Sequence, residues 1–234
     1  MATVISDKPM LEVDPADALG ELNPVEAKNA PKTLYAQGDL SLLSEGLRVS
    51  VVGSRKPTEA GVRRARVFCK ALAGHSIIVV SGLADGIDAV AHRTAIDQGG
   101  RTIAVLGTPL DKCYPAKNRT LLDEIKRNHL AISQFPIGYP SQPKNFPMRN
   151  RTMALVSDAT VIIEAGEKSG TRHQGWEALR LGRLVFIVES VANNPKLSWP
   201  KEMIGYGAQV LSRDDVPYLV DNLPQFTGDE ALAF

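Results

Sequence analysis

Apolar positions along the chain fall into two alternating regimes. One is a set of short, nearly unbroken runs: Val49-Ser50-Val51-Val52, Ile77-Ile78-Val79-Val80, Thr102-Ile103-Ala104-Val105-Leu106, the shorter Ala131-Ile132-Ser133, Thr160-Val161-Ile162-Ile163-Glu164 and Leu184-Val185-Phe186-Ile187-Val188. Runs without polar alternation read as strands buried on both faces. The other regime has helical spacing. Val62, Ala65, Arg66, Cys69 and Leu72 give a mostly apolar face to a helix over 58–73. Further helices are expected up to about 98, over 117–128, across Arg149, Asn150 and Arg151, and up to about 182. Strands alternating with helices predict an α/β fold, an extended Rossmann-like, doubly wound, mainly parallel sheet with helices on both faces.

The flanks are less periodic. Residues 1–31 carry Asp, Pro, Ala and Glu without a sustained pattern and read as a flexible or partner-dependent arm, although Leu11, Val13, Leu19 and Leu22 could dock on something. Leu34 to Leu40 reads as a short strand and turn into the core. The domain is expected over 32–223, with a tail over 224–234. Within 189–234, Asn193-Asn194-Pro195 breaks the chain, 208–211 suits an edge strand and 213–221 a last short helix. Leu197, Trp199 and Tyr206 stand equally as core or interface.

Composition narrows the function classes. A 44% hydrophobic, 23% charged chain of 234 residues can build a sizeable core. Its net charge of +1 excludes a globally basic binder, so any nucleic-acid affinity must come from a local patch. Two cysteines make no disulfide framework. Cys69 lies on an apolar helical face, and a reducing cytoplasm is the expected compartment. No apolar run approaches the roughly 20 residues of a membrane span, and the first residues begin no secretory signal. The four histidines are scattered, so neither metal nor cofactor is expected.

Candidate chemistry gathers where strands end. Ligands of doubly wound sheets bind beyond the carboxyl ends of the strands, and four such ends carry small or glycine residues: Gly53-Ser54-Arg55, Ser81-Gly82-Leu83-Ala84-Asp85-Gly86, Gly107-Thr108 and Ser169-Gly170-Thr171. Bare amides and a helix N-terminus favour an anion, and Arg55 and Lys56 add charge at the first turn. Together they predict a phosphate- or nucleotide-binding edge. The segment Lys144-Asn145-Phe146-Pro147-Met148-Arg149-Asn150-Arg151 holds three cations and no acid, which suits a groove tracking a sugar-phosphate backbone. For Phe146 two readings stand, a stacking face for a base or a core staple at a helix start. The arginines are read as phosphate contacts against the alternative of a solvated face. Arg172 and His173 fall in the first turn of a helix beside the last glycine loop, His173 as a pocket group or a structural one, with Trp176 in the core.

Catalysis finds less support. Asp85 with Asp88, or Glu164 with Glu177, could act as acid and base, but Asp85 and Asp88 read better as caps of the following helix. Neither a Gly-x-Ser-x-Gly elbow nor a Gly-x-x-x-x-Gly-Lys-Ser/Thr loop occurs. No catalytic residue is expected.

These stretches, in this order, resemble the DprA/Smf family of DNA-processing proteins. The resemblance runs over roughly 34–190: Leu34-Tyr35-x-x-Gly38-Asp39-Leu40, Val52-Gly53-Ser54-Arg55-Lys56-Pro57, Ser81-Gly82-Leu83-Ala84-x-Gly86-Ile87-Asp88-x-x-Ala91-His92, Ile103-Ala104-Val105-Leu106-Gly107, Tyr114-Pro115, Asn145-Phe146-Pro147-x-Arg149-Asn150-Arg151, Glu164-Ala165 and Ser169-Gly170-Thr171. It implies an extended Rossmann fold, a homodimer, single-stranded DNA in a positive pocket, and loading of the RecA recombinase during transformation. By position it makes Arg55, Lys144, Arg149 and Arg151 DNA-phosphate contacts, with Gly53, Ser54, Gly170 and Thr171 shaping the pocket. Replacing Arg149 and Arg151 together by Ala is then expected to weaken binding sharply and leave the fold intact.

The sequence departs from that family in two places. Members usually carry further helical or winged-helix-like domains, for which this chain has no room beyond a short arm and tail. Its last glycine loop continues as Arg172-His173-Gln174-Gly175-Trp176-Glu177, where typical members have apolar and small residues. Short chains of this kind resemble antitoxins of anti-phage systems that neutralise a phosphoribosyltransferase-like toxin. The wider superfamily also holds hydrolases of nucleoside-monophosphate glycosidic bonds, the alternative reading here. Their Pro-Gly-Gly-x-Gly-Thr-x-x-Glu loop is replaced by Ala165-Gly166-Glu167-Lys168-Ser169-Gly170-Thr171.

Overall fold

The computed structural model describes residues 8–226, with side chains described through residue 223. In chain order the elements are β1 (Leu11–Val13), α1 (Pro15–Leu19), α2 (Pro24–Asn29), β2 (Leu34–Gly38), β3 (Arg48–Gly53), α3 (Glu59–Gly74), β4 (Ile78–Ser81), α4 (Ile87–Asp97) and β5 (Thr102–Leu106). They continue with α5 (Arg119–Asn128), β6 (Leu130–Ser133), α6 (Asn145–Leu155), β7 (Ala159–Glu164), α7 (Thr171–Arg180), β8 (Leu184–Val188), α8 (Glu189–Ala192), α9 (Trp199–Gly205), β9 (Gln209–Leu211) and α10 (Val216–Phe226).

The nine strands of the described residues join one sheet in the order β1-β2-β6-β5-β4-β3-β7-β8-β9. From β6 to β9 every pairing is parallel, while β2 and β1 close one edge antiparallel. The doubly wound expectation holds. Strands β4, β5 and β6 succeed β3 to one side and β7, β8 and β9 to the other, so the winding reverses between β3 and β7. Right-handed crossovers then place α3, α4 and α5 on one face and α6 and α7 on the other. Central strands buried on both sides explain the unbroken apolar runs: Val49, Val51, Val79, Val80, Ile103, Val105, Val161 and Ile162 are all sealed from water.

The stretch expected as an arm behaves differently where it is described. Strand β1 pairs with β2, Leu11 opposite Ala36. Helix α2 opens on a capping box, Asn23 accepting from the Glu26 amide while Glu26 accepts from the Asn23 amide. The Glu26 carboxylate is also buried and paired with the Arg183 guanidinium. Short elements with local caps lack the periodicity that long amphipathic helices show, hence the missing signal. Residues 1–7 and 227–234 of the expected arm and tail lie outside the described residues. The last helix runs to Phe226, past the expected domain end at 223.

Smaller differences have equally local causes. On α3 the buried positions are Gly61, Ala65, Phe68, Cys69 and Leu72, so Phe68 takes the place expected for Arg66. Trp199 is wholly buried, whereas Tyr206 is exposed and meets the half-buried Trp176 edge to face at 5.4 Å.

Under β5 lies a buried histidine. Thr102 donates its hydroxyl to the Val79 carbonyl at 2.7 Å, so its free lone pair can accept from Nδ1 of His92, also at 2.7 Å. That fixes a neutral tautomer with the proton on Nδ1. Burial, joined by the neighbouring His129, pushes the His92 pKa down to about 3. Below pH 6.5 the unfolded chain takes up a proton that the native state refuses until about pH 3. Stability must therefore fall with decreasing pH across that window, by up to about 1.4 kcal/mol per unit from this group. Denaturant titrations over pH 4–6.5 should show that slope flatten in His92→Gln; an unchanged slope would show that His92 does not carry it.

Candidate functional site

Because the connections after β3 and β7 leave toward opposite faces of the sheet, a crevice opens between them. The β3–β7 ladder slips register between Val52 and Gly53 as it reaches that point. Two cross-links hold the flanking turns together. Thr171 Oγ1 donates to the Gly53 carbonyl at 3.1 Å, and the Thr58 amide donates to Glu164 at 2.9 Å. Close packing underlies the turn: a Cβ on Gly53 would lie 2.6 Å from the Ile87 side chain, and one on Gly86 (φ +76°) would strike the Ser54 carbonyl.

The resulting cleft encloses about 860 Å³ and spans Val52 to Lys56 on one wall and Gly166 to Thr171 on the other. Its far wall comes from α6 and Tyr114. Of the expected residues it brings together Gly53, Ser54, Arg55, Lys56, Phe146, Arg149, Asn150, Ser169, Gly170, Thr171 and His173. Arg55, Lys56 and His173 are exposed, and Arg55 and Lys56 form no ion pair among the described residues. Ser54 Oγ accepts the Lys56 amide at 3.1 Å, and Ser169 Oγ accepts the Thr171 amide at 3.2 Å, so both hydroxyls shape the turns. Asn150 accepts from Arg149 Nε at 3.0 Å and lies 3.4 Å from the Gly170 carbonyl, which joins α6 to the last glycine loop.

Five expected contacts, Gly82, Lys144, Asn145, Arg151 and Arg172, lie off the cleft lining, and a sixth, Arg149, is buried in its floor. Helix α6 buries Asn145, Arg149, Thr152 and Met153, a stripe at i, i+4, i+7 and i+8. Arg149 on that stripe is 5% exposed and forms part of the cleft floor. It gives hydrogen bonds to the carbonyls of Gly82 and Val105, the latter at 2.7 Å, and so clamps the ends of β4 and β5. It is a strut where a free phosphate contact was expected. Gly82 is buried and off the cleft lining, and the Arg149 guanidinium occupies the space a side chain there would need. Arg151, two residues on, falls outside the buried stripe and pairs with Glu177 at 3.4 Å, away from the cleft. Asn145 is buried, donating to the Pro140 carbonyl at 3.0 Å. Arg172 bonds the Glu167 carbonyl, and neither it nor the exposed Lys144 lines the cleft.

Phe146 takes the staple position and also lines the cleft. Its ring fills the space above Gly107, as a staple would, yet the Arg55 guanidinium lies over it at 5.5 Å and Tyr114 leans on it at 5.4 Å. The site also contains residues outside the expected set. Lys168 is exposed within the glycine loop, one position before Ser169, and Tyr114 stands at the rim. Among the described residues Asp88 is the one carboxylate on the lining. Burial raises its pKa, against the charge of Arg149 and the amide of Ala84, which donates to it at 3.3 Å. Burial likewise lowers Arg149, opposed by Asp88. Asp88 thus braces the 81–84 turn, and α4 is capped by Gly86 without a side-chain bond; Asp85 meets Lys117 at 3.0 Å. Glu164 binds Thr58 and Arg64, and Glu177 binds Arg151 and Arg180, so neither projects a free carboxylate into the cleft. Among the described residues no group of three metal-ligating side chains forms.

Fold and site define a class: a doubly wound α/β protein with a cationic, glycine-lined cleft at its switch point. Within that class the chain belongs to the DNA recombination-mediator protein A family, whose model matches residues 20–220. It is 35% identical over 80% of its length to the DNA processing protein DprA of Bacillus subtilis, covering 63% of that protein. The solved DprA structure from Streptococcus pneumoniae superposes with a TM-score of 0.75 at 32% identity, covering 91% of this chain and 74% of that one. A Helicobacter pylori DprA structure, described for its single-stranded DNA binding mode, gives 0.78 at 24% identity, covering 93% and 97%. The chain spans about half to three fifths of the length of several curated relatives.

Proposed function

We propose that this chain binds single-stranded DNA in the switch-point cleft, phosphate first, and catalyses no reaction. The observation that carries the reading is the trio Arg55, Lys56 and Lys168, three exposed cations without ion-pair partners among the described residues, around amides at the start of α7. A phosphate there meets charge and the dipole of α7 together. Phe146 and Tyr114 add apolar ring surface beside it, as stacking of bases requires. Family membership and the Helicobacter pylori relative support the same ligand. The carboxylates that acid–base hydrolysis would need are engaged in structural contacts, which favours binding over glycosidic cleavage.

The protein partners implied by the resemblance enter as proposals with one shared test. A recombinase, a phosphoribosyltransferase-like toxin or a second copy of the chain should co-purify, or shift the mass in solution. Among the described residues no helix is long and apolar enough to cross a membrane. For DNA, fluorescence anisotropy with a labelled oligothymidylate should give affinity that falls with salt at a logarithmic slope of about −2, from three phosphates at about 0.7 each. Sequence preference should be weak. Salt-independent binding, or none, would overturn the reading.

A further inference from the structure

A second concavity adjoins the cleft. Beyond Tyr114 a groove of about 420 Å³ is lined by Thr108, Asp111, Lys112, Tyr114, Arg119 and Ser141, among others. Tyr114 belongs to both walls, and its ring is exposed apart from its tilt against Phe146. Lys112 is exposed, reaches the Tyr139 carbonyl at 3.4 Å and pairs with no carboxylate among the described residues. Arg119 donates to the Asp111 carbonyl at 3.2 Å and lies 3.7 Å from Asp123, leaving much of its guanidinium free. Among the described residues Asp111 is the one acid on the lining. A continuous row therefore runs from the phosphate turn through Arg55, Phe146 and Tyr114 to a second pair of cations.

We propose that this groove continues the DNA path: a strand leaving the cleft lays one base on the Tyr114 ring and runs its next phosphates past Lys112 and Arg119. The inference rests on the single-stranded DNA reading of the cleft and extends it to the length and direction of the strand. The pattern is what a polynucleotide presents, negative charge repeating along the backbone with a flat apolar face at each step. A site for one phosphate would end at the first turn, and a small apolar ligand would have no use for Lys112 and Arg119. The order of features also matters. An exposed ring between two cationic hollows can separate successive phosphates while holding a base.

Oligonucleotide length separates this path from the cleft itself. Anisotropy titrations would use oligothymidylates of about four and about fifteen nucleotides, within the range such proteins engage. Lys112→Glu with Arg119→Glu should leave the short strand within about twofold of the unmodified protein and weaken the long one at least about tenfold. A long strand carrying 2-aminopurine should show stacking quench with the unmodified protein and with Tyr114→Phe, lost in Tyr114→Ala. Arg55→Glu should weaken both lengths. If Arg55→Glu changes neither, the cleft reading itself fails. If it weakens both while the Lys112 and Arg119 reversals act equally on both lengths or not at all, or the quench survives Tyr114→Ala, the path is wrong and the cleft stands. Thermal melts confirm folding of each variant, since all the altered side chains are exposed.

Discussion

Arg149→Met is expected to lower the free energy of unfolding by about 3–5 kcal/mol, the usual consequence of removing one partner from a buried charged network. Methionine roughly preserves the apolar stem, so the change isolates the guanidinium. Its loss strips a donor from the carbonyls of Gly82 and Val105 at the ends of two adjacent strands, and from Asn150 on its own helix. Each acceptor left unpaired costs about 1–3 kcal/mol. Asp88, lifted by burial and held in check by the Arg149 charge, would also lose its counter-ion. Guanidinium titration is the direct measurement, with an unchanged m-value showing that the shift is one of stability. A midpoint change worth less than about 1 kcal/mol would mean that the clamp contributes little. Gly82→Ala should act in the same direction, because its Cβ claims the space of the same nitrogen. Loss of DNA binding in any Arg149 variant therefore reports on the floor of the cleft, and the Arg149/Arg151 double alanine substitution cannot serve as a clean test of contact.

That correction was available in the sequence. Arg149 and Arg151 read alike as phosphate contacts, although the stretch that carries them is itself expected to be helical. On a helix, residues two apart point away from each other. The positions Asn145, Arg149, Thr152 and Met153 follow the helical stripe, but polar side chains at the first two mask it from a reading based on hydrophobicity. The same reasoning separates what was legible elsewhere. Strands such as Val49–Val52 and Ile162 with its neighbours announce themselves because burial on both faces demands unbroken apolar runs. The glycine turns at Gly53 and Gly170 are legible because strand ends in this architecture have one destination. Gly82 shows the limit: a glycine signals that something approaches closely, and the sequence does not say whether a ligand or an arginine does. Lys168 and Tyr114 were missed although each stood within or beside a motif already marked. Their roles depend on loops meeting across the sheet. The pairing of β1 with β2 depends on a three-residue strand too short to show a period.

Reversing the two free cations of the first turn, Arg55→Glu with Lys56→Glu, should weaken single-stranded DNA binding by about a hundredfold or more while the protein stays folded. Both side chains are exposed and form no ion pair among the described residues, so little of the fold depends on them. What they supply is charge at the place where the α7 start and the Ser54 turn already favour an anion. A hydrogen bond to a charged group contributes about 1.5–3 kcal/mol, and two of them account for at least that factor. Arg55 also covers one side of the Phe146 ring, so its replacement bares that ring and removes a cation from the path to Tyr114. The logarithmic salt slope should become shallower by about 1.4, two phosphates at about 0.7 each. That second readout distinguishes contact from collapse: a cleft distorted by the substitutions would lose affinity without the matching change in slope. If affinity and slope both remain as in the unmodified protein, the strand does not pass this turn, and the electropositive rim has another purpose.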